Sequence, residues 1–138
     1  MAAGASTLWP GGRFVTTQLL VRTQFLQDHP DLVDDLLTGQ IEANDFISKN
    51  PDEAKKLIGD WIASFTQTEV PQVVLDKAWQ NLTFTNDPIA DSLVGSADHA
   101  IELGLIDDVD LGNLYDLDPL NKLLAAAGEH QVTGPSKQ

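Results

Sequence analysis

The chain has 138 residues, no cysteine and a formal net charge of −13. This length fits one ordinary domain but not two, and the lack of cysteine excludes disulfides, thiolate metal sites and a cysteine nucleophile. Eight Lys and Arg against 21 Asp and Glu argue against nucleic-acid binding, which depends on clustered cations. No run approaches the ~18 apolar residues of a membrane-spanning helix. Residues 1–27 carry +2 and residues 28–138 carry −15, so the two parts have different structural roles.

The first predicted element is a β-strand over residues 14–25, after a leader and hinge-like turn over residues 1–13. The sequence FVTTQLLVRTQF alternates between two faces and is rich in β-branched residues, and the turn signal Trp9-Pro-Gly-Gly12 precedes it. An amphipathic helix is the alternative. A lone strand leaves backbone N–H and C=O groups unpaired on both edges. Because no second strand follows, we expect it to pair with another copy of the chain or with strands of a longer parent protein.

Beyond residue 28 the pattern is helical, and most prolines stand where a helical pattern begins. The first position of a helix tolerates proline because the N–H that proline lacks would have no partner there. About five helices are predicted, with approximate bounds 30–48, 51–65, 71–82, 88–103 and 119–127. We expect Asn50 and Glu53 to form a capping box, and Asp118 to cap the last helix. Gly104 is predicted to end its helix in the left-handed conformation, and Gly128 is predicted to end the last helix. Residues 129–138 read as a flexible tail.

The apolar positions of these helices predict the core. The helix over 51–65 has the most regular stripe, at Ala54, Leu57, Ile58, Trp61, Ile62 and Phe65. The preceding helix should bury Leu32, Val33, Leu36, Leu37, Ile41 and Phe46 or Ile47. The third should bury Val73, Val74, Ala78, Trp79 and Leu82. Trp61 and Trp79 are therefore expected inside the core.

Four residues near the start are the candidate ligand-binding group: Trp9, Arg13, Thr16 and Thr17. An arginine offers a planar fork of donors and threonine offers hydroxyls, which together suit an oxyanion such as sulfonate, nitrate or carboxylate. The alternatives are that Trp9 docks on the helices and that the threonines are an exposed edge. We find no catalytic motif, and the acidic stretch 105–118 lacks the spacing of a calcium loop. We therefore expect no enzyme activity, no metal and no cofactor.

Three motifs occur in a familiar order along the chain. They are FLxxHPDLV at 25–33, AxDFIxxNPDEA at 43–54 and ADHAIELGLIDDVDL at 97–111. Together they resemble the C-terminal portion of the substrate-binding proteins of bacterial ABC importers for aliphatic sulfonates, taurine and nitrate, which are type II periplasmic binding proteins. The resemblance covers about residues 9–127.

The resemblance implies a two-lobed α/β receptor that closes on a small anion and delivers it to an ABC permease. This chain would supply only the mainly α C-terminal fragment, with residues 14–128 as one helical part and the strand returning to a sheet encoded earlier. The parent would be extracytoplasmic, either periplasmic or lipid-anchored, although this chain shows no signal peptide. We also expect the fragment to form a homodimer through residues 14–25. The alternative interpretation is a complete, small, acidic helical protein-interaction module.

Overall fold

The computed structural model describes residues 8–136, which are mainly helical. A short 3-10 turn over Pro10–Gly12 comes first. The helices are α1 (Thr23–Asp28), α2 (Pro30–Lys49), α3 (Pro51–Thr66), α4 (Gln72–Trp79), α5 (Ala90–Glu102) and α6 (Asp118–Ala126). No strand occurs among the residues that the structure describes. The mainly α class is therefore confirmed, and the N-terminal strand is not.

Local signals placed the helices well. All five predicted helices form as α2 to α6, and α2 and α3 begin at the prolines named for them, Pro30 and Pro51. Gly104 and Gly128 take φ of +67° and +75°, as predicted for helix stops. At both sites the next residue donates its N–H to a carbonyl five positions back, Leu105 to Ala100 at 2.9 Å and Glu129 to Leu124 at 2.8 Å. This pairing is the Schellman motif, which satisfies helix-end carbonyls and favours glycine.

Both predicted side-chain caps are wrong. Asn50 makes no N-terminal cap on α3; its side-chain Nδ2 instead donates to the Phe46 carbonyl at 3.2 Å. The reason is that Asn50 alone separates α2 from α3, and its N–H also donates to Phe46, at 2.8 Å, so the residue completes α2. Asp118 is the first residue of α6, and its N–H donates to Asp116 Oδ1 at 3.3 Å.

The predicted strand over 14–25 is wrong in two ways. Its last residues, 23–25, belong to helix α1, so the helical alternative holds for that end alone. The rest, residues 13–22, has no regular secondary structure, and its backbone is extended at Arg13 and Arg22. β-branched residues favour an extended backbone, but a strand also needs a neighbour to accept its hydrogen bonds, and none lies alongside in the described chain. Whether two copies pair through residues 14–25 stays a prediction.

The chain divides into two compact units. The first contains residues up to Leu37 and from Asp87 onward, and the second contains Thr38–Asn86. In the first unit Leu124 is fully buried, together with Val33, Ala90 and Ser92. The Lys122 ammonium lies 3.1 Å from the Asp34 carboxylate, which joins α6 to the first part of α2. The C-terminal segment is also held, because Asn121 exchanges two hydrogen bonds with Val132, of 3.0 and 2.8 Å.

In the second unit the expected core is only partly formed. Ile41 and Ala54 are buried, but Trp61, predicted to be core, is 65% exposed. Half-buried Trp79 packs on Phe84 with ring centroids 4.9 Å apart. Several other residues of this unit expected inside are exposed: Leu57, Phe65, Val73, Val74, Ala78 and Leu82. In the first unit, Leu32 and Leu36 of α2 are exposed as well.

The register of α4 is the reason for part of this difference. The half-buried residues of α4 are Leu75, Asp76 and Trp79, not the valines. A Cβ built on Gly59 of α3 would lie 3.0 Å from Leu75 Cδ1, so the glycine permits the close approach of the two helices. The α3–α4 contact therefore uses one flank of the α3 stripe and leaves the other flank uncovered.

Candidate functional site

Residues 13–22, which we call the N-terminal strap, run along the first unit with a threefold periodicity. Val15, Gln18 and Val21 are half-buried, and the residues between them are exposed. A β-strand would alternate with period two, whereas period three is that of polyproline II. The sequence predicted two faces that alternate along the segment. In the structure every third residue of the strap faces inward instead.

Polar contacts hold the strap in place. The Val15 N–H donates to the hydroxyl of Ser92 at 3.1 Å, and Ser92 is only 1% exposed. The side-chain amide of Gln18 donates both to the Pro88 carbonyl, at 3.1 Å, and to the Tyr115 hydroxyl, at 2.8 Å. The backbone N–H of Val15 thus finds its acceptor in a side chain of α5, whereas in a sheet a neighbouring strand would supply the acceptor.

Trp9 docks on α5, which was one of its two expected roles. Its indole Nε1 donates to Ser96 Oγ at 2.9 Å. Its ring stacks on Phe14 with centroids 4.7 Å apart and meets His99 edge-on at 6.4 Å. Ser96 in turn donates its hydroxyl proton to the Ser92 carbonyl at 2.8 Å. The indole is therefore fixed in orientation by a hydrogen bond and two ring contacts.

The remaining predicted site residues lie apart from these contacts. Arg13, Thr16 and Thr17 are exposed, and their side chains make no hydrogen bond or ion pair with another described residue. Arg13 directly follows the 3-10 turn and precedes Phe14. The strap is thus anchored at Val15 and Gln18 and exposes the polar side chains of Arg13, Thr16 and Thr17 to solvent.

Several residues of this site were not anticipated from the sequence. Ser92 and Gln18 anchor the strap, yet neither was singled out from the sequence. The available signal was the pair Ser92 and Ser96, two small hydroxyl residues four apart on a helix whose other inward positions are apolar. Such a pair lies on one face, and a buried hydroxyl requires a hydrogen-bond partner from elsewhere.

The acidic residues of this unit are used as backbone acceptors. Asp110 Oδ1 accepts from the Gly112 N–H at 2.8 Å, and the Asp91 carboxylate accepts from the N–H and hydroxyl of Ser136 at 2.7 and 3.0 Å. Within residues 8–136, no group of three His, Asp or Glu side chains is placed to hold a metal ion. None of the helices in this range combines the length and the apolarity needed to cross a bilayer.

In one charged cluster of the second unit, the pKa values of Lys55 and Asp76 are shifted. The Lys55 ammonium lies 3.0 Å from both Asp76 and Asp52, and its side chain is 16% exposed. The hydrogen bonds to Asp76 and then Asp52 raise the pKa of Lys55. The hydrogen bond from Lys55, together with one from Gln72, lowers the pKa of Asp76. This ion pair links α3 to α4.

Comparison with known proteins gives no match: neither a family model, nor a curated protein, nor a solved structure is similar to this chain.

Proposed function

We propose that this chain is the helical C-terminal portion of the solute-binding component of an ABC importer for small anions such as aliphatic sulfonates, taurine or nitrate. The order of the three sequence motifs supports this proposal. The first motif spans the α1–α2 junction at His29-Pro30, and the second spans the α2–α3 junction at Asn50-Pro51. The third runs from α5 through the Gly104 stop into the acidic coil.

The observation that carries the proposal is the exposed apolar surface of the first unit. Leu20 is 82% exposed on the strap, and Leu103 and Leu105 are 74% and 72% exposed after α5. Burial of such side chains against another part of a protein removes apolar area from water and is favourable. In a two-lobed receptor, the remainder of the parent covers this surface.

In this proposal the strap forms one wall of the ligand cleft. Trp9 is already oriented by Ser96, and Arg13 presents an unpaired guanidinium beside the exposed threonines of the strap. A guanidinium binds a sulfonate or nitrate through two parallel N–H donors. The parent, which we place outside the cytoplasm, binds the anion reversibly and passes it to the permease without covalent chemistry.

The first test reads the genomic frame upstream of residue 1. We expect roughly 150–200 further codons that begin with an export signal, since domains of about that size form each lobe of such receptors. An in-frame stop directly upstream of Met1 would refute the proposal.

The second test uses the parent protein and calorimetry against taurine, an aliphatic sulfonate and nitrate. Arg13→Gln should weaken binding by about 10- to 100-fold, because a charge-assisted hydrogen bond contributes about 1.5–3 kcal/mol. The matched control is Arg22→Gln, which removes the other exposed strap arginine and should leave affinity unchanged. Equal effects of the two substitutions would refute a role for Arg13 in the cleft.

A second candidate function is a complete acidic helical module that binds another protein. The exposed flank of α3, with Trp61 65% and Phe65 79% exposed, favours it. The upstream reading frame separates the two candidates, because this module needs no further codons.

A further inference from the structure

The second unit carries an apolar surface that the proposed function does not use. We call it the α3 ridge; it consists of Leu57, Trp61 and Phe65, which are 52%, 65% and 79% exposed. These residues are four apart, so they form one line along the helix. The Trp61 and Phe65 rings already touch, with centroids 5.4 Å apart. The ridge is thus a continuous apolar strip.

The other flank of α3 is covered within the unit. Gly59 lies against Leu75 of α4, and Lys55 bonds to Asp76 at 3.0 Å. Ile58 and Ile62 are half-buried on that flank. The apolar stripe of α3 is therefore wider than α4 can cover, and the surplus is the α3 ridge.

Charge distinguishes this unit from the rest of the chain. Residues 38–86 contain four Lys and seven Asp or Glu, a net −3, whereas the remaining residues carry −10 of the total −13. Beside the α3 ridge, Lys56 and Asp60 neutralise each other in an ion pair of 2.6 Å. Two copies of this unit therefore repel each other weakly for so acidic a chain.

The area of the α3 ridge is near the minimum for a specific dimer. The two partly exposed aromatic rings and Leu57 together present about 400 Å² per copy. Pairing two such strips with their flanks buries about 1,000 Å² in total, which is the lower limit of specific interfaces. The expected complex is a weak one.

We propose that two copies of the chain associate through the α3 ridge, with the two α3 helices antiparallel. Asp52 and Glu53 lie in the first turn of α3, and no acid lies in its last turn. A parallel pair would bring the acidic ends of both copies together, whereas an antiparallel pair separates them by the ~24 Å length of the helix. Trp61 then lies near the twofold axis, and Leu57 faces Phe65 of the second copy.

Sedimentation equilibrium of the full chain from 2 to 200 µM tests the proposal. We expect the mass to rise from 15.0 kDa toward twice that value, with a dissociation constant of about 10–100 µM. Trp61→Ser should raise this constant at least about tenfold, since exposed aromatic anchors dominate such contacts. Phe65→Ser should act in the same direction, and far-UV circular dichroism checks that both variants stay helical.

The control is Leu20→Ser, which removes an apolar side chain that is 82% exposed in the other unit. It should not change the dissociation constant. A monomer throughout the range overturns the proposal and leaves the α3 ridge to a different protein. A dimer that survives Trp61→Ser, or that Leu20→Ser weakens equally, overturns it as well. The reading-frame and ligand tests of the proposed function have separate readouts, so either proposal can fail alone.

Discussion

Replacing Ser92 by alanine should release the N-terminal strap from α5. The hydroxyl of Ser92 is the acceptor for the Val15 N–H at 3.1 Å, and the residue is 1% exposed, so no other group can take its place without rearrangement. Alanine is nearly the same size, so the substitution removes the hydrogen bond and creates almost no cavity. Because Val15 is half-buried and water can reach it in part, we expect a loss of about 1 kcal/mol in unfolding free energy.

Amide hydrogen exchange measures this effect at the bond itself. A loss of about 1 kcal/mol corresponds to roughly fivefold faster exchange of the Val15 amide. The control is Ser64→Ala, because the Ser64 hydroxyl donates to the Trp61 carbonyl on the exposed surface of α3. It should leave Val15 exchange unchanged. Equal Val15 exchange rates in wild type and Ser92→Ala would refute the idea that Ser92 anchors the strap.

Two further predictions concern backbone conformation and charge. Gly104→Ala should destabilise the chain by about 1 kcal/mol in urea unfolding, because φ at Gly104 is +67°. Gly39→Ala within α2 should instead stabilise it by about 0.5–1 kcal/mol, because a Cβ at Gly39 meets open space. A loss of stability at both positions would contradict this reasoning. The pKa of Asp76 is lowered below its usual 3.8 by Lys55, so their bond stabilises the α3–α4 pair above that pH and the contribution disappears as pH falls. The pKa of Lys55 is raised above 10.5, so the contribution is also lost at higher pH. Asp76→Asn should thus be less stable than wild type near pH 7, and the difference in thermal unfolding should shrink as pH falls below 3.8; a constant difference would contradict the assignment.

The helix positions could be read from the sequence because their signals are local. Proline fixes φ and lacks an N–H, so within a helical pattern Pro30 and Pro51 fit the first turn and not the interior. Glycine alone adopts the left-handed conformation without strain, so Gly104 and Gly128 end their helices. These preferences act within one turn of backbone and need no information about distant residues.

The candidate site could be foreseen only in part. Trp9 was recognised as a residue that would dock on the helices, and it does so through Ser96. The residue that anchors the strap, Ser92, lies 77 positions from its partner Val15. No local pattern connects the two, because the hydrogen bond exists only once α5 and the strap lie side by side.

By itself, the sequence determined the mainly helical class and the approximate positions of α2 to α6, through backbone sterics and the 3.6-residue period. Only the tertiary structure decided that residues 13–22 form a strap and not a strand, because an extended segment takes its hydrogen-bond partners from whatever lies next to it. It also decided which flank of α3 is buried. Amphipathic spacing fixes the direction of an apolar stripe, but the neighbouring helix fixes how much of that stripe is covered, and α4 is too short to cover it all.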